Sequence, residues 1–309
     1  MSGSTRASGT SEGTAGGAGA GLAGREGVFP RARARGPNRQ ALRRLALVTG
    51  VFVVGIWVLG AVAAPLAPYG ADEQRLLEAF QPPSVHHPFG TDDLGRDVLT
   101  RVLYGGRYTL SLALAVVLLT ALFGMAVGVT AGYFGGWVDE ALMRATEVVM
   151  AFPAIILAMT IVVALGPGLI NAGLAMVLVW WPPYARLARG ETLVVRRLDY
   201  VEAAVALGQS PWGILRYAIT PNILSNLIVL ATIDLGAAVV TAAGLSFLGL
   251  GATPPTPEWG AMVSAGRELL AQWWVASFPG LAIFMTVLGF NFIGDGIRDL
   301  LDPHRRGHG

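Results

Sequence analysis

The sequence predicts an all-helical, polytopic membrane protein with six transmembrane helices, and its composition and segment lengths support this prediction. Of the 309 residues, 53% are hydrophobic and only 14% are charged. Soluble domains carry about 25% charged residues, so this chain lacks the polar surface that a water-soluble globule of its length needs. A helix needs about 20 apolar residues to cross a bilayer, whereas a barrel strand needs about 10. The long apolar segments of this chain therefore favour helices.

The apolar segments divide the chain into regions. Residues 1–43 are rich in Gly and Ser and then in Arg, with few bulky apolar side chains, and are expected to form a disordered tail. Residues 44–104 hold the first helix and an external segment. Residues 105–303 form the core domain, with a loop at 186–220, and residues 304–309 form a second tail. The predicted helices cover about 45–65, 108–132, 142–165, 169–185, 222–245 and 278–297.

The basic residues predict the orientation in the membrane. All 22 are arginines, and with the N-terminus inside, 17 of them fall on the cytoplasmic side. Cytoplasmic loops carry the excess of positive charge, so both termini and the 186–220 loop are expected to be cytoplasmic. This asymmetry, with attraction to anionic lipid, accounts for the pI of 9.2, and no nucleic-acid partner is expected. The five outer arginines are Arg75, Arg96, Arg101, Arg107 and Arg267.

Two missing residue types exclude several kinds of chemistry. The chain contains no cysteine, so disulfides and thiolate catalysis are excluded, and no lysine, so it cannot form a lysine-containing phosphate-binding loop. Metalloprotease and serine-hydrolase motifs are also missing, which predicts a non-catalytic chain without a cofactor. His86 and His87 are adjacent, and the other histidines, His304 and His308, fall on the cytoplasmic tail. No metal site is therefore expected.

The cytoplasmic loop contains signals for two short helices joined at an angle. Asp199 is placed to cap a helix over residues 200–207, and Gly208 is placed to end it. Ser210 followed by proline predicts an immediate second helix, and Thr220 followed by Pro221 predicts the start of the fifth transmembrane helix. The resulting elbow could dock another protein through its alanines or lie on the membrane surface. The residues alone favour neither.

Motifs in this loop and elsewhere resemble one family. Glu202, Ala203, Ala204 and Gly208 resemble the EAA loop of bacterial ABC importer permeases. The chain keeps Pro221 of the fuller pattern but has Ala218 and Thr220 where that pattern has Ile and Leu. Over residues 41–306 the chain resembles the C-type permeases of the dipeptide, oligopeptide and nickel importers. The matching segments are 87–97 (HPFGTDDLGRD), 131–139 (AGYFGGWVD), 151–153 (AFP), 245–251 (LSFLGLG), 258–260 (EWG) and 294–299 (GDGIRD).

The resemblance implies a type I ABC importer permease fold in the bacterial cell membrane and a role in binding-protein-dependent transport. Such a permease pairs with a homologous second permease, two cytoplasmic ATPases that bind ATP and Mg²⁺, and an external substrate-binding protein. It implies that Glu202, Ala203, Ala204, Gly208 and Pro221 couple this subunit to the ATPases. Short peptides are the implied substrates, with nickel or another small solute as the alternative.

Other residues have two interpretations each. Gly124, Gly128 and Gly132 form a small-residue stripe that indicates close helix packing, against this chain or the second permease. Asp234 and Glu147 are acids at membrane depth that could contact substrate or protons, or bond to a neighbouring helix. A second class of protein, a secondary transporter with these acids as a proton relay, would show an internal repeat, which is missing. An intramembrane enzyme would need a nucleophile or metal set.

The two external segments carry charges and aromatic side chains. The acids and arginines between Asp92 and Arg101 could contact the binding protein or pair with one another in a surface helix. Trp259, Trp273 and Trp274 are expected to form an interfacial belt at the level of the lipid headgroups.

Overall fold

The computed structural model describes residues 39–301. Within that range the chain is helical apart from its loops, and its only β-bridge pairs Thr91 with Asp97. The predicted tails fall outside the described residues, except that residues 39–43 belong to the first helix. The helices are α1 (Arg39–Ala63), α2 (Val98–Phe134), α3 (Gly136–Met150), α4 (Ala154–Leu165), α5 (Leu169–Val195), α6 (Asp199–Ala206), α7 (Pro211–Ile214), α8 (Thr220–Phe247), α9 (Trp259–Gly266) and α10 (Trp274–Leu301).

Four helical stretches are long and apolar enough to cross a membrane: Arg44–Leu66, Val98–Phe134, Pro211–Phe247 and Trp274–Leu300. A fifth candidate is the pair α3 and α4, which meet at an 86° bend and together replace the predicted third span. The predicted fourth span lies in α5, which has 27 residues but contains Pro182 and Pro183 and is not among the candidates. The count of six spans therefore stays a prediction.

Helix α2 begins ten residues earlier than its apolar segment. The Asp97 carboxylate accepts a hydrogen bond from the Thr100 N–H at 2.7 Å and so caps the helix. The charged residue of its first turn is also paired: Arg101 donates to the carbonyls of Ala71 and Pro255. The predicted domain boundary at 104/105 falls inside this one helix, and residues 39–301 lie in a single compact unit.

The glycine stripe lies against α5 of the same chain. A Cβ atom added to Gly124 would lie 2.5 Å from the Tyr184 Cβ, and one added to Gly132 would lie 2.8 Å from the Thr192 Cβ. At Gly128 an added Cβ would meet the carbonyl oxygen of Ala185. These distances are below van der Waals contact, so α2 and α5 can approach this closely only because the three positions lack side chains. The contact holds α5 in place along the centre of the molecule.

The prediction of an interfacial tryptophan belt is wrong for two of the three tryptophans. Trp259 is fully buried, and its indole N–H donates to the Val102 carbonyl at 2.8 Å. Trp274 is 7% exposed and donates to the Thr91 carbonyl at 3.0 Å. Each indole fills space between helices while its N–H finds a backbone acceptor, which is the usual requirement for a buried tryptophan. Trp273 is 55% exposed, so for this residue alone of the three the interfacial position stays a prediction.

Candidate functional site

The loop predicted to be an elbow forms two short helices that meet at Gly208. This glycine has φ of +77°, a left-handed conformation that side chains with a Cβ adopt at a cost. Ser210 caps α7 as predicted: its hydroxyl accepts a hydrogen bond from the Gly213 N–H at 3.2 Å. The predicted cap at Asp199 is wrong, because Leu198 is the capping residue and Asp199 is the first residue of α6. Its charge still lies at the positive end of the helix dipole.

The inner side of the elbow is part of the protein core. Val201 of α6 is 1% exposed and packs in one cluster with Ile214, Leu215 and Ile219. Ala204, one of the predicted coupling residues, is half-buried against the same cluster. The conformation of the elbow is therefore fixed by its packing against the core as well as by the turn at Gly208.

The outer side of the elbow carries other residues predicted to couple to the ATPases, together with an apolar patch. Glu202, Ala203 and Gly208 are exposed. Beside them Leu207 is 87% exposed and Trp212 is 75% exposed, both large apolar side chains. Within residues 39–301, the carboxylate of Glu202 has no hydrogen-bond or ion-pair partner. Apolar groups around an unpaired charge are typical of a surface that another protein covers.

Helix α8 begins at Thr220 with Pro221 in its first turn, as predicted, but it continues the preceding helical turns without a break. The chain is helical from Pro211 to Phe247, and residues Leu215–Ile219 form a wider π-helical turn just before the proline. Pro221 has no N–H to donate to the preceding turn and its ring crowds that turn, so a local widening keeps the helix continuous. Next to it, the Asn222 amide donates to the Tyr200 hydroxyl at 2.9 Å and ties α6 to α8. Pro221 itself is exposed.

Two arginines hold the end of α5 beside the elbow. The Arg189 guanidinium donates to the carboxylate of Asp139 on α3, with one N–O distance of 2.6 Å. Arg196 donates to the carbonyl of Gly132 at the end of α2, at 2.9 Å. Helix α5 extends to Val195, ten residues beyond the predicted span, because these contacts satisfy its charged last turns. The loop between α5 and α7 is correspondingly shorter than the predicted 186–220.

A cavity of about 340 Å³ lies where the break between α3 and α4 faces α5 and α8. Asp234, at the middle of α8, is half-buried and is the one ionisable residue among the described residues that line it. The fully buried Tyr184 hydroxyl lies near the Asp234 carboxyl, and no partner among the described residues meets hydrogen-bond geometry with it. Glu147 does not line this cavity: it is exposed and pairs with Arg144 at 3.3 Å. The other lining residues are Val149, Met150, Phe152, Ala154, Val179, Trp180, Pro183, Leu230 and Ala237.

The charged external run pairs largely with itself, but in a folded loop instead of a surface helix. Arg96 contacts Asp92 at 2.7 Å and Asp93 at 3.3 Å, and the Arg101 guanidinium lies 3.6 Å from Asp92. Each charge thus has an opposite charge beside it. This pairing leaves Asp93 as the exposed acid of the run, with a side-chain exposure of 57%.

Several other ionisable groups of the loop before α2 are also internally paired. His87 is buried, with Nδ1 2.9 Å from Asp97 and Nε2 3.4 Å from Glu78. The Gly70 N–H and the Arg75 guanidinium both hold the pKa of the Glu73 carboxyl below its usual value. In residues 39–301, no group of three or more His, Asp or Glu side chains is arranged to hold a metal ion.

Residues 124–307 match the family described as the binding-protein-dependent transport system inner membrane component. The chain belongs to this family. It is a transport permease, and its matched region includes α5, the elbow, α8 and the cavity at Asp234.

Curated relatives align over most of the permease. It is 44% identical to the probable D,D-dipeptide transport system permease protein DdpC of Escherichia coli over 84% of this chain and 88% of that protein. It is 43% identical to the glutathione transport system permease protein GsiD of Pectobacterium atrosepticum, over 87% and 92%. It is 41% identical to the dipeptide transport system permease protein DppC of Alkalihalophilus pseudofirmus, over 86% and 90%.

A solved structure has the same fold as the permease. A chain of the MetNI methionine ABC transporter in an inward-facing conformation superposes with a TM-score of 0.52 at 22% identity. The match covers 65% of this chain and 96% of that chain. The all-helical ABC importer permease fold expected from the motifs is confirmed.

Sequence reasoning missed two features of the permease site. The apolar patch of Leu207 and Trp212 lies between motif residues, and a tryptophan two positions after the cap would have been the signal for it. Tyr184 was also missed, although it follows Pro183 inside an apolar segment where a hydroxyl needs a partner. Its position beside Asp234 depends on how α5 and α8 pack, which no local pattern predicts.

Proposed function

We propose that this chain is one permease subunit of an ATP-driven importer of short peptides, and that it contacts its ATPases through the elbow. The exposed outer side of the elbow is the observation that carries this proposal. It presents an unpaired Glu202 carboxylate, the small Ala203 and two exposed apolar side chains, while its inner side is locked into the core. The names of the relatives support dipeptides or a tripeptide-sized substrate.

In this proposal the chain supplies a path and the partners supply the energy. The chain has no lysine for a phosphate-binding loop, so ATP and Mg²⁺ are bound and ATP is hydrolysed by two cytoplasmic partner subunits. A homologous second permease completes the path between the two subunits. Closure of the ATPases moves the elbows together and switches the pair between inward-facing and outward-facing states. An external binding protein delivers the substrate.

The same proposal places the protein in the bacterial inner membrane with six spans and both termini in the cytoplasm. The arginine count of 17 inside and 5 outside favours this orientation. Helix α5 is the sixth span, since its 27 residues, at about 1.5 Å each, are long enough to cross the hydrocarbon core. Lipid surrounds the outer face of α1, where Phe52, Leu59 and Val62 are exposed.

The complex is expected to survive mild detergent extraction. Affinity capture of this chain should co-purify two ATPase chains and one second permease per complex, and a peptide-loaded binding protein should stimulate ATP hydrolysis. A lone, active protein would contradict the proposal and favour a secondary transporter.

The substrate class is checked by thermal stabilisation of the binding protein with dipeptides, glutathione or Ni²⁺. Stabilisation by Ni²⁺ alone would replace peptides with the metal ion as substrate.

A further inference from the structure

The cavity beside Asp234 has the chemistry of a site for an organic cation. Its walls are apolar, and they include the aromatic rings of Trp180 and Phe152, whose faces attract positive charge. Its single ionisable lining residue among those described is an acid, and Arg and His are missing from the described part of the lining. A negative charge among aromatic and apolar groups matches a ligand with one positive charge on an apolar body.

The position of Asp234 is costly without such a ligand. It lies at the middle of α8, in a stretch long and apolar enough to span the membrane. A carboxylate at this depth needs a partner or water. Among the described residues no arginine or histidine pairs with it, and its one polar neighbour is the hydroxyl of Tyr184. That hydroxyl is itself buried without a partner of good geometry. The two groups lie close enough to interact with each other, but the Asp234 carboxylate has no cationic partner among the described residues.

The cavity is also accessible. Phe152 and Met150, at the break between α3 and α4, are 56% and 45% exposed, and Ala237 on α8 is exposed. The break at residues 151–153 removes one turn of helix at membrane depth, and irregular backbone at this depth is tolerated where it lines a cavity or is buried in protein. The cavity therefore opens on the surface of the chain, at exposed residues of α8 and of the break between α3 and α4.

We infer that Asp234 receives the protonated amino terminus of the peptide during its passage, with Trp180 and Phe152 flanking the ammonium group. This inference rests on the proposed function, since it takes the substrate to be a peptide. Asp234 is then a selectivity residue of the path: it favours peptides with a free amino group over those whose amino group is blocked. The external binding protein and this site would select for the same charge in succession.

The test uses the complete complex in liposomes, with binding protein loaded separately with a dipeptide or with its N-acetyl derivative. Loading each ligand to saturation removes the selectivity of the binding protein from the comparison. The wild-type complex should transport the free dipeptide faster than the acetylated one by about tenfold, the size expected for one charge-assisted contact. In Asp234→Asn this ratio should fall to near one, through slower transport of the free dipeptide. Asp234→Glu should retain most of the ratio.

Glu147→Gln is the matched control, because it removes an acid of another candidate membrane span that does not line the cavity, and it should keep the wild-type ratio. A ratio unchanged in Asp234→Asn would overturn the inference, and so would an equal loss for both ligands. If the Asn variant does not assemble, Trp180→Leu serves the same test: a lowered ratio supports the inference and an unchanged ratio overturns it. A wild-type complex that assembles but transports no peptide would instead overturn the proposed function.

Discussion

Gly208→Val is expected to insert into the membrane normally and to abolish the stimulation of ATP hydrolysis by the peptide-loaded binding protein. No atom lies within 4 Å of a Cβ added at Gly208, so the first side-chain atom of the valine causes no clash. The cost comes from the backbone: φ is +77°, and a left-handed conformation costs roughly 1–2 kcal/mol for a residue with a Cβ and more for a branched one. The turn will relax to another conformation and move α6 relative to α7. The measurement is the ATPase rate of the purified complex with and without loaded binding protein.

Two further variants distinguish the effect of the backbone conformation at Gly208 from the effect of adding a larger side chain. Gly208→Asn should retain most of the stimulation, because asparagine adopts the left-handed conformation more readily than other residues. Gly190→Val on α5 adds the same side chain where there is also no atom within 4 Å and no unusual φ, and it should behave as wild type. Normal stimulation in Gly208→Val would refute the assignment of the elbow to coupling.

Gly128→Leu is expected to prevent accumulation of folded protein in the membrane. An added Cβ at Gly128 meets the backbone carbonyl of Ala185 on α5, and backbone cannot move aside as a side chain can. Overpacking of a core costs typically about 1–3 kcal/mol, and a backbone clash lies at the upper end or beyond. The separation of α2 and α5 would also pull Arg196 from the carbonyl of Gly132. The measurement is the amount of monodisperse protein extracted from membranes.

The effect of a glycine-to-leucine substitution should depend on whether the glycine lies in the contact between α2 and α5. Gly244→Leu on α8 places the same side chain where there is no atom within 4 Å of the added Cβ, and it should give a near-normal yield. Gly124→Leu should resemble Gly128→Leu, since its Cβ would lie 2.5 Å from that of Tyr184. A normal yield of Gly128→Leu would mean that the α2–α5 contact is not needed for folding.

Apolar patterning and turn residues predicted much of this fold because both are local. The long apolar segments, the turn at Gly208 and the cap at Ser210 each depend on a few neighbouring residues. The predictions that were wrong concern residues whose contacts are distant in the sequence. Trp259 is buried because Gly105 and Gly106 on α2 leave room for its ring, and α2 starts early because Arg101 finds carbonyls at residues 71 and 255. No signal near Trp259 or Arg101 indicates these partners.

The candidate functional site was also predictable only where it depends on neighbouring residues in the sequence. The coupling residues follow from one short motif, and the structure places that motif on an exposed surface. Asp234 was noticeable from sequence as an acid in an apolar segment, but its surroundings were not. Trp180 and Tyr184 come from α5 and Phe152 comes from the break between α3 and α4, so these residues meet Asp234 only through the packing of three separate segments.

The continuous helix from Pro211 to Phe247 joins the two ends of this site mechanically. Its 37 residues span roughly 55 Å at 1.5 Å per residue, and Asp234 lies about 35 Å along it from Pro211. A force applied by a partner at α7 therefore acts on a stiff lever whose middle carries the acid of the cavity. The π turn at Leu215–Ile219 is the one irregular point between them, so in the proposed complex the stiffness of this turn would decide how much of a movement at α7 reaches Asp234.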